Sequence, residues 1–100
     1  MALNSNRNVY VIIGDGEALM SLGTLVLYNK LKMQNLGLII LDNGCYQSTG
    51  GQKTCSDAVD FTKLCGCVVF KVDPESKPVP RIPLSTKEIT RRFYNAINSV

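Results

Sequence analysis

The 100-residue chain contains no histidine and no tryptophan, and only 7% of its residues are aromatic. Because it has no imidazole, the chain cannot itself supply histidine-based general acid–base catalysis. It also lacks the mixed cysteine–histidine ligand sets that are typical of zinc sites. The spacing of its four cysteines does not match a zinc site either, so we predict reduced thiols. These cysteines are Cys45, Cys55, Cys65 and Cys67.

Long apolar runs and clusters of one charge are also missing. No apolar run approaches the roughly 18 residues of a membrane-spanning helix, and residues 1–7 lack the apolar core of a signal peptide. The formal net charge is +3, and the basic residues are scattered along the chain, which argues against a nucleic-acid surface. We therefore predict a cytoplasmic protein with no membrane or nucleic-acid partner.

The pattern of apolar runs and turn residues predicts one α/β domain. The predicted strands cover residues 8–13, 36–41 and 67–72, and the predicted helices cover residues 17–31, 56–65 and 85–98. Alternation of strands and helices indicates a parallel sheet with right-handed crossovers. We expect a Rossmann-like three-layer fold with a small, three-stranded parallel sheet and helices on its faces. Residues 43–54 are predicted to be a loop, and the four prolines within residues 73–83 exclude regular structure there.

Helix-capping signals support these boundaries. Ser56 or Asp57 is predicted to begin the second helix and Gly66 to end it. Ser85 and Glu88 form a capping-box pattern at the start of the last helix.

Two polar segments follow directly after predicted strands. Residues 14–16 are Gly-Asp-Gly and residues 42–44 are Asp-Asn-Gly. Ligands of open α/β sheets bind at the carboxyl ends of parallel strands, so Asp15 and Asn43 are candidate ligand-binding residues. Carboxylate and amide oxygens suit a Mg²⁺ ion that also holds phosphate oxygens, and a helix N-terminus after Gly16 would offer free N–H groups to a phosphate.

Simpler interpretations exist for each segment alone. Gly-Asp-Gly is also a plain strand-to-helix turn, and Asp-Asn-Gly is also a common β-turn. Glu17 is an awkward neighbour for an anion, so we expect its side chain to face solvent or to cap the helix. Asp42 either supports the ligand-binding residues without touching the ligand itself, or forms the turn at the end of the strand. The occurrence of both segments at strand ends, with one helix between them, favours the functional interpretation.

Residues 14–23 (GDGEALMSLG) and 41–52 (LDNGCYQSTGGQ) resemble segments of thiamine diphosphate-dependent phosphonopyruvate and sulfopyruvate decarboxylases, and residues 79–84 resemble their C-terminal segment. The resemblance implies that Mg²⁺ is held by Asp15, Asn43 and the carbonyl of Cys45. It implies that the cofactor contacts Gly14, Asp15, Gly16, Glu17, Ala18, Asn43, Cys45 and Tyr46. It also implies a substrate loop made of Ser48, Thr49, Gly50, Gly51 and Gln52.

The same resemblance implies a function that depends on a partner. Residues 1–100 would be the C-terminal portion of the domain that binds diphosphate and Mg²⁺, and the pyrimidine-binding domain, with its activating glutamate, would be supplied elsewhere. The expected reaction is decarboxylation of a small 2-oxo acid with a terminal anion, either sulfopyruvate or phosphonopyruvate. We expect an oligomeric enzyme, and an isolated chain that is inactive.

Two other hypotheses remain open from the sequence. The chain could be a non-catalytic remnant or fragment that binds the cofactor weakly or not at all. A different Mg-nucleotide-binding module is the weaker alternative, because the chain has neither a P-loop lysine nor a G-x-G-x-x-G segment.

Overall fold

The computed structural model of the chain describes residues 2–74 and 77–99. In chain order its elements are β1 (Val9–Gly14), α1 (Asp15–Met20), α2 (Leu22–Leu31), β2 (Leu36–Asp42), β3 (Cys45–Tyr46), β4 (Gln52–Lys53), α3 (Phe61–Cys65), β5 (Val68–Lys71) and α4 (Thr86–Asn98). None of the helices within these described segments is long and apolar enough to cross a membrane. The cytoplasmic location stays a prediction.

Strands β1, β2 and β5 form a parallel sheet in the order β1-β2-β5. Gly14 at the end of β1 lies opposite Leu41 of β2, and Asp42 at the end of β2 lies opposite Lys71 of β5. The carboxyl ends of the three strands therefore lie next to one another at the same end of the sheet. The predicted α/β class with a small, three-stranded parallel sheet is confirmed.

One face of the sheet carries the hydrophobic core. Leu38 and Ile40 of β2 pack there against Ala18 of α1, Leu25 of α2 and Phe61 of α3. Side chains alternate between the two faces of a strand, so the intervening residues of the strands point to the other face. Large apolar side chains on that second face are exposed, namely Tyr10, Ile12, Leu41, Val68 and Phe70.

Strand β1 is not the central strand, although its sequence is mostly apolar on both faces, as is typical of a central parallel strand. β2 occupies the centre and β1 lies at an edge of the described sheet. Helix α4 contributes no buried residue. The helices that pack on the core face are thus α1, α2 and α3.

The single helix predicted for residues 17–31 is two helices with a break at Ser21. The backbone of Ser21 has φ −121° and ψ 29°, outside the α-helical region. Its N–H donates to Ala18 O at 3.1 Å, while its own carbonyl accepts from Thr24 and Leu25. Helix α2 leaves a stripe of four partly or mostly exposed apolar side chains, namely Leu22, Val26, Leu27 and Leu31.

The predicted loop at residues 43–54 is a small antiparallel hairpin rather than an irregular segment. Cys45 pairs with Lys53 and Tyr46 with Gln52. The turn between the two strands contains Gly50 at φ 131°, a conformation that side-chain-bearing residues rarely adopt.

The predicted beginning of the second helix is also wrong. Residues 56–58 form a 3-10 turn instead, and α3 is capped by Asp60, whose side chain accepts a hydrogen bond from Lys63 N–H at 3.0 Å. The predicted stop at Gly66 is confirmed, with φ 67°. Ser85 caps α4 as predicted by accepting from Glu88 N–H at 3.2 Å.

The described part of the proline-rich segment, 73–74 and 77–83, contains neither helix nor strand, as predicted, and residues 75 and 76 lie outside the described residues.

Candidate functional site at the strand ends

Buried carboxylates lie where β1 and β2 end. Asp15, the first residue of α1, is 2% exposed, and Asp42, the last residue of β2, is 3% exposed. An ionised carboxylate is rarely buried unless other groups compensate its charge. The partners of these two groups therefore determine what the site can bind.

The glycines on either side of Asp15 have no positive φ angle. Gly14 has φ −81° and ψ 161°, which any residue can adopt, and Gly16 is not among the positive-φ glycines of the described chain. Gly16 instead allows a close approach by Tyr46. A Cβ atom at position 16 would lie 2.4 Å from Tyr46 Cε1, so the glycine is what permits the ring to lie against α1.

Glu17 caps helix α1, which was one of the two expectations for it. Its Oε2 atom accepts a hydrogen bond from Gly14 N–H at 2.9 Å. The side chain is therefore turned back toward the end of β1. Ala18, next in the helix, is completely buried and belongs to the core.

Asn43 and Cys45 lie in the turn that follows β2. The Asn43 Oδ1 atom accepts from Cys45 N–H at 3.0 Å, and a carbonyl oxygen of this kind retains a second lone pair. In the hairpin, Thr54 N–H donates to Gly44 O at 2.9 Å. Since ladder bonds alternate along antiparallel strands, the adjacent carbonyl of Cys45 points away from β4.

Asp42 has partners for both of its oxygens. Oδ1 accepts from Gly44 N–H at 3.0 Å and from Ser56 Oγ at 2.9 Å, and Oδ2 accepts from Lys71 Nζ. Burial on its own would raise the pKa of Asp42, but the hydrogen bonds from Lys71 and Ser56 and the charge of Lys71 hold it below its ordinary value. Asp42 thus forms the Gly44 turn and is also tied into the core.

Thr54 joins the two strand ends, and sequence reasoning missed it. Its Oγ1 atom donates to Asp15 Oδ2 at 2.5 Å, while its backbone N–H bonds Gly44 in the turn after β2. Ser56 and Lys71 were missed as well. Contacts between residues so far apart in sequence have no local pattern, although two hydroxyl residues directly after a glycine-rich hairpin were an available signal.

The candidate substrate loop lies on the surface. Ser48, Thr49, Gly50, Gly51 and Gln52 are all exposed. Thr49 Oγ1 donates to Gln52 Oε1 at 3.2 Å, and Gln52 Nε2 donates to Thr49 O at 3.3 Å. The loop is therefore held by its own hydrogen bonds, with its polar groups accessible.

The donor set fits a hard divalent cation better than zinc. Within residues 2–74 and 77–99 no three His, Cys, Asp or Glu side chains come together as a metal cluster. The strand ends offer instead one carboxylate oxygen of Asp15 without a hydrogen-bond partner in the described chain, together with amide and backbone carbonyl oxygens. Such oxygen donors, completed by phosphate oxygens and water, are what Mg²⁺ prefers. The fold and site together define an α/β domain with a candidate cation and phosphate site.

Comparison with known proteins assigns the family. Residues 1–77 match the family model described as "Thiamine pyrophosphate enzyme, C-terminal TPP binding domain". The chain belongs to this family, and the predicted family is confirmed.

The relatives with similar sequences are decarboxylases. The chain is 33% identical to the sulfopyruvate decarboxylase subunit beta of Methanococcus maripaludis, with 97% of this chain and 68% of the relative covered. It is 31% identical to the same subunit of Methanothermobacter thermautotrophicus, with 97% and 66% covered. It is 52% identical to the phosphonopyruvate decarboxylase of Streptomyces hygroscopicus over 71% of this chain, but only 18% of that relative is covered.

Proposed function

We propose that the chain is the part of a thiamine diphosphate-dependent 2-oxo acid decarboxylase that binds the cofactor diphosphate and Mg²⁺. The observation that carries the proposal is the link between the strand ends. Asp15 follows β1, the turn containing Asn43 follows β2, and Thr54 hydrogen-bonds to Asp15 and to that turn. Family membership supports thiamine diphosphate as the cofactor. Mg²⁺ is supported by the oxygen donors.

The proposed roles follow the position of each group. Asp15, Asn43 and the Cys45 carbonyl would hold Mg²⁺. The backbone N–H groups of Gly16, Glu17 and Ala18 would bind diphosphate oxygens. For Gly16 and Glu17 the reason is that N–H groups at the start of a helix lack helical partners. When bound, thiamine diphosphate would supply a nucleophilic carbon for addition to the 2-oxo carbon and a ring that serves as the sink for the electron pair left by departing CO2.

Tyr46 and the loop after it would border the cofactor on the substrate side. Tyr46 lies against Gly16, directly beside the proposed diphosphate-binding N–H groups. The exposed polar groups of Ser48, Thr49 and Gln52 suit hydrogen bonding to a terminal sulfonate or phosphonate. The printed names of the relatives support these two substrates, sulfopyruvate and phosphonopyruvate.

The domain assignment and partner are part of the same proposal. Residues 1–100 would form the C-terminal portion of the diphosphate-binding domain, and a pyrimidine-binding domain or subunit would complete the enzyme. Two relatives are named as beta subunits. The exposed apolar stripe of α2 offers this chain a surface for such a partner.

Calorimetric titration of the full chain with thiamine diphosphate tests the cofactor site, with and without Mg²⁺. We expect binding that requires Mg²⁺ and that Asp15→Asn weakens at least about tenfold, which corresponds to ~1.4 kcal/mol. Asp57→Asn, which removes an exposed carboxylate, is the matched control and should bind like the unaltered chain. Equal binding by Asp15→Asn, or none by the unaltered chain, would reject the proposed site.

The reaction is tested separately by producing the chain together with a pyrimidine-domain partner. Release of CO2 from sulfopyruvate or phosphonopyruvate is the expected result. If the complex forms and binds the cofactor but releases no CO2 from either acid, the chain is a binding module and the proposed reaction is wrong.

A further inference from the structure

Two buried hydroxyl groups lie between the two buried carboxylates. Thr54 is 9% exposed and Ser56 is 5% exposed. Thr54 Oγ1 lies 2.5 Å from Asp15 Oδ2, and Ser56 Oγ lies 2.9 Å from Asp42 Oδ1. The two hydroxyl oxygens are 3.2 Å apart. The four side chains thus form one continuous polar cluster beneath the strand ends.

The number of available protons fixes the direction of these hydrogen bonds. Each hydroxyl has a single proton to donate, whereas an ionised carboxylate can only accept. The proton of Thr54 therefore goes to Asp15, and the proton of Ser56 goes to Asp42. Thr54 Oγ1 also accepts from the backbone N–H of Ser56 at 3.4 Å, which leaves its hydroxyl proton directed at Asp15.

This arrangement leaves the two carboxylates in different states. Both oxygens of Asp42 are occupied, by Gly44 and Ser56 on one side and by Lys71 on the other. Among residues 2–74 and 77–99, Asp15 has a hydrogen-bond partner on Oδ2 only. Because no fully buried side-chain oxygen of the described residues lacks a hydrogen bond, the Oδ1 atom of Asp15 must hold part of the small exposure, 2%, that this residue retains.

We propose that Thr54 is a positioning residue for cation binding: its hydroxyl holds Oδ2 of Asp15 and thereby presents Oδ1 to the divalent cation. Ser56 serves Asp42 instead and supports Thr54 only through its backbone N–H. The inference rests on the proposed function, because it takes Asp15 to be a cation ligand. It adds a residue that lies outside both strand-end segments and whose side chain need not touch the cation.

The test compares Thr54→Ala with Thr54→Ser. Both variants lose the same methyl group, so they differ only in the hydroxyl. The probe is Mn²⁺ in the presence of thiamine diphosphate, and the signal is the electron paramagnetic resonance of free Mn²⁺. Removal of a group that orients a metal ligand typically weakens metal binding roughly 10- to 100-fold, and we expect a loss of that size for Thr54→Ala and restored affinity for Thr54→Ser. The exposed Thr62, exchanged to Ala and Ser, is the matched control.

Ser56→Ala provides the second arm. It removes a donor to Asp42 but keeps the backbone N–H that fixes Thr54, so we expect lower stability toward urea with Mn²⁺ affinity retained. Each dissociation constant is measured under conditions in which that variant is folded, as its urea unfolding curve shows.

The outcomes separate this inference from the proposed function. If the unaltered chain binds Mn²⁺ and Asp15→Asn does not, but Thr54→Ala and Thr54→Ser bind equally, the positioning role is wrong and the cofactor site stands. Equal losses for Ser56→Ala and Thr54→Ala would overturn the assigned hydrogen-bond directions. If the unaltered chain does not bind Mn²⁺ with the cofactor, both proposals fail.

Discussion

Exchange of Gly16 for alanine should destabilise the chain because of Tyr46. A Cβ atom at position 16 would lie 2.4 Å from Tyr46 Cε1 and 2.8 Å from Cδ1, so the ring must move. Gly23 is the matched control, because it is likewise the second residue of a helix and an added Cβ would meet nothing within 4 Å. The same substitution therefore has opposite expected effects at two equivalent helix positions.

The expected magnitudes follow from two opposing effects. Alanine in place of glycine within a helix stabilises by about 0.5–1 kcal/mol, and this is the expected result for Gly23→Ala. Forcing extra volume into a packed contact costs roughly 1–3 kcal/mol. The net effect expected for Gly16→Ala is therefore a loss of about 0–2.5 kcal/mol in the free energy of unfolding, by these same two effects.

A double-mutant cycle isolates the contact between the two residues. In a Tyr46→Ala background the obstruction is gone, and Gly16→Ala should then stabilise by about 0.5–1 kcal/mol, as Gly23→Ala does. Urea unfolding followed by circular dichroism is the suitable assay, because the chain has no tryptophan for fluorescence. The reasoning fails if Gly16→Ala stabilises the chain as much as Gly23→Ala while Tyr46 is present.

Three further predictions follow from burial and charge. Lys71→Met should cost about 1–3 kcal/mol in the free energy of unfolding, because Asp42 stays buried without its cation. The pKa of Asp42 is lowered in the folded chain, so Asp42 contributes stability above its ordinary pKa of 3.8, and this stability is lost as the pH falls below that value. Acid titration should therefore show a smaller loss of stability in Lys71→Met than in the unaltered chain. Ile40→Ala, at a position with no exposure, should cost ~2–5 kcal/mol in urea unfolding. Iodoacetamide should modify the exposed Cys55 in the folded chain. Burial raises the pKa of Cys67 to about 12, so mass spectrometry should find Cys67 modified only after the chain is unfolded.

The strands and their ends were predictable because their signals are local. An apolar run followed by Gly-Asp-Gly or Asp-Asn-Gly marks both the strand and its end, and parallel pairing then brings the two ends to one edge. The register of Gly14 with Leu41 follows this expectation. Whether Asp15 and Asn43 bind a cation stays a prediction.

Element boundaries were less predictable where local preferences compete. The break at Ser21 divides a segment that is apolar on most sides, so periodicity gave no indication of it. For α3, three candidate caps lie close together, at Ser56, Asp57 and Asp60. Ser56 is drawn into the buried cluster by Asp42, which leaves Asp60 to cap the helix.

Thr54 could not be assigned from the sequence because its role depends on a long-range contact. It lies 39 residues from Asp15 in the chain. The hairpin formed by β3 and β4 returns the chain to the strand ends, and that hairpin was itself predicted as a loop. Without the pairing of Cys45 with Lys53, nothing places the next residue, Thr54, beside Asp15.

Asp42 and Asn43 are adjacent polar residues, but strand periodicity gives them different surroundings. Asp42 is in phase with the buried Leu38 and Ile40, so its carboxylate must enter the core side of the sheet. A carboxylate buried there requires a compensating positive charge. Lys71, which pairs with Asp42 in the register of β2 and β5, supplies it. Asn43 follows the last residue of the strand and is free of this constraint. Among the residues that the structure describes, its amide oxygen accepts a hydrogen bond from Cys45 N–H alone. The strand pattern therefore favours Asn43 over Asp42 as the cation ligand. The hydrogen bonds of Asp42 agree with this choice, because they occupy both of its carboxylate oxygens.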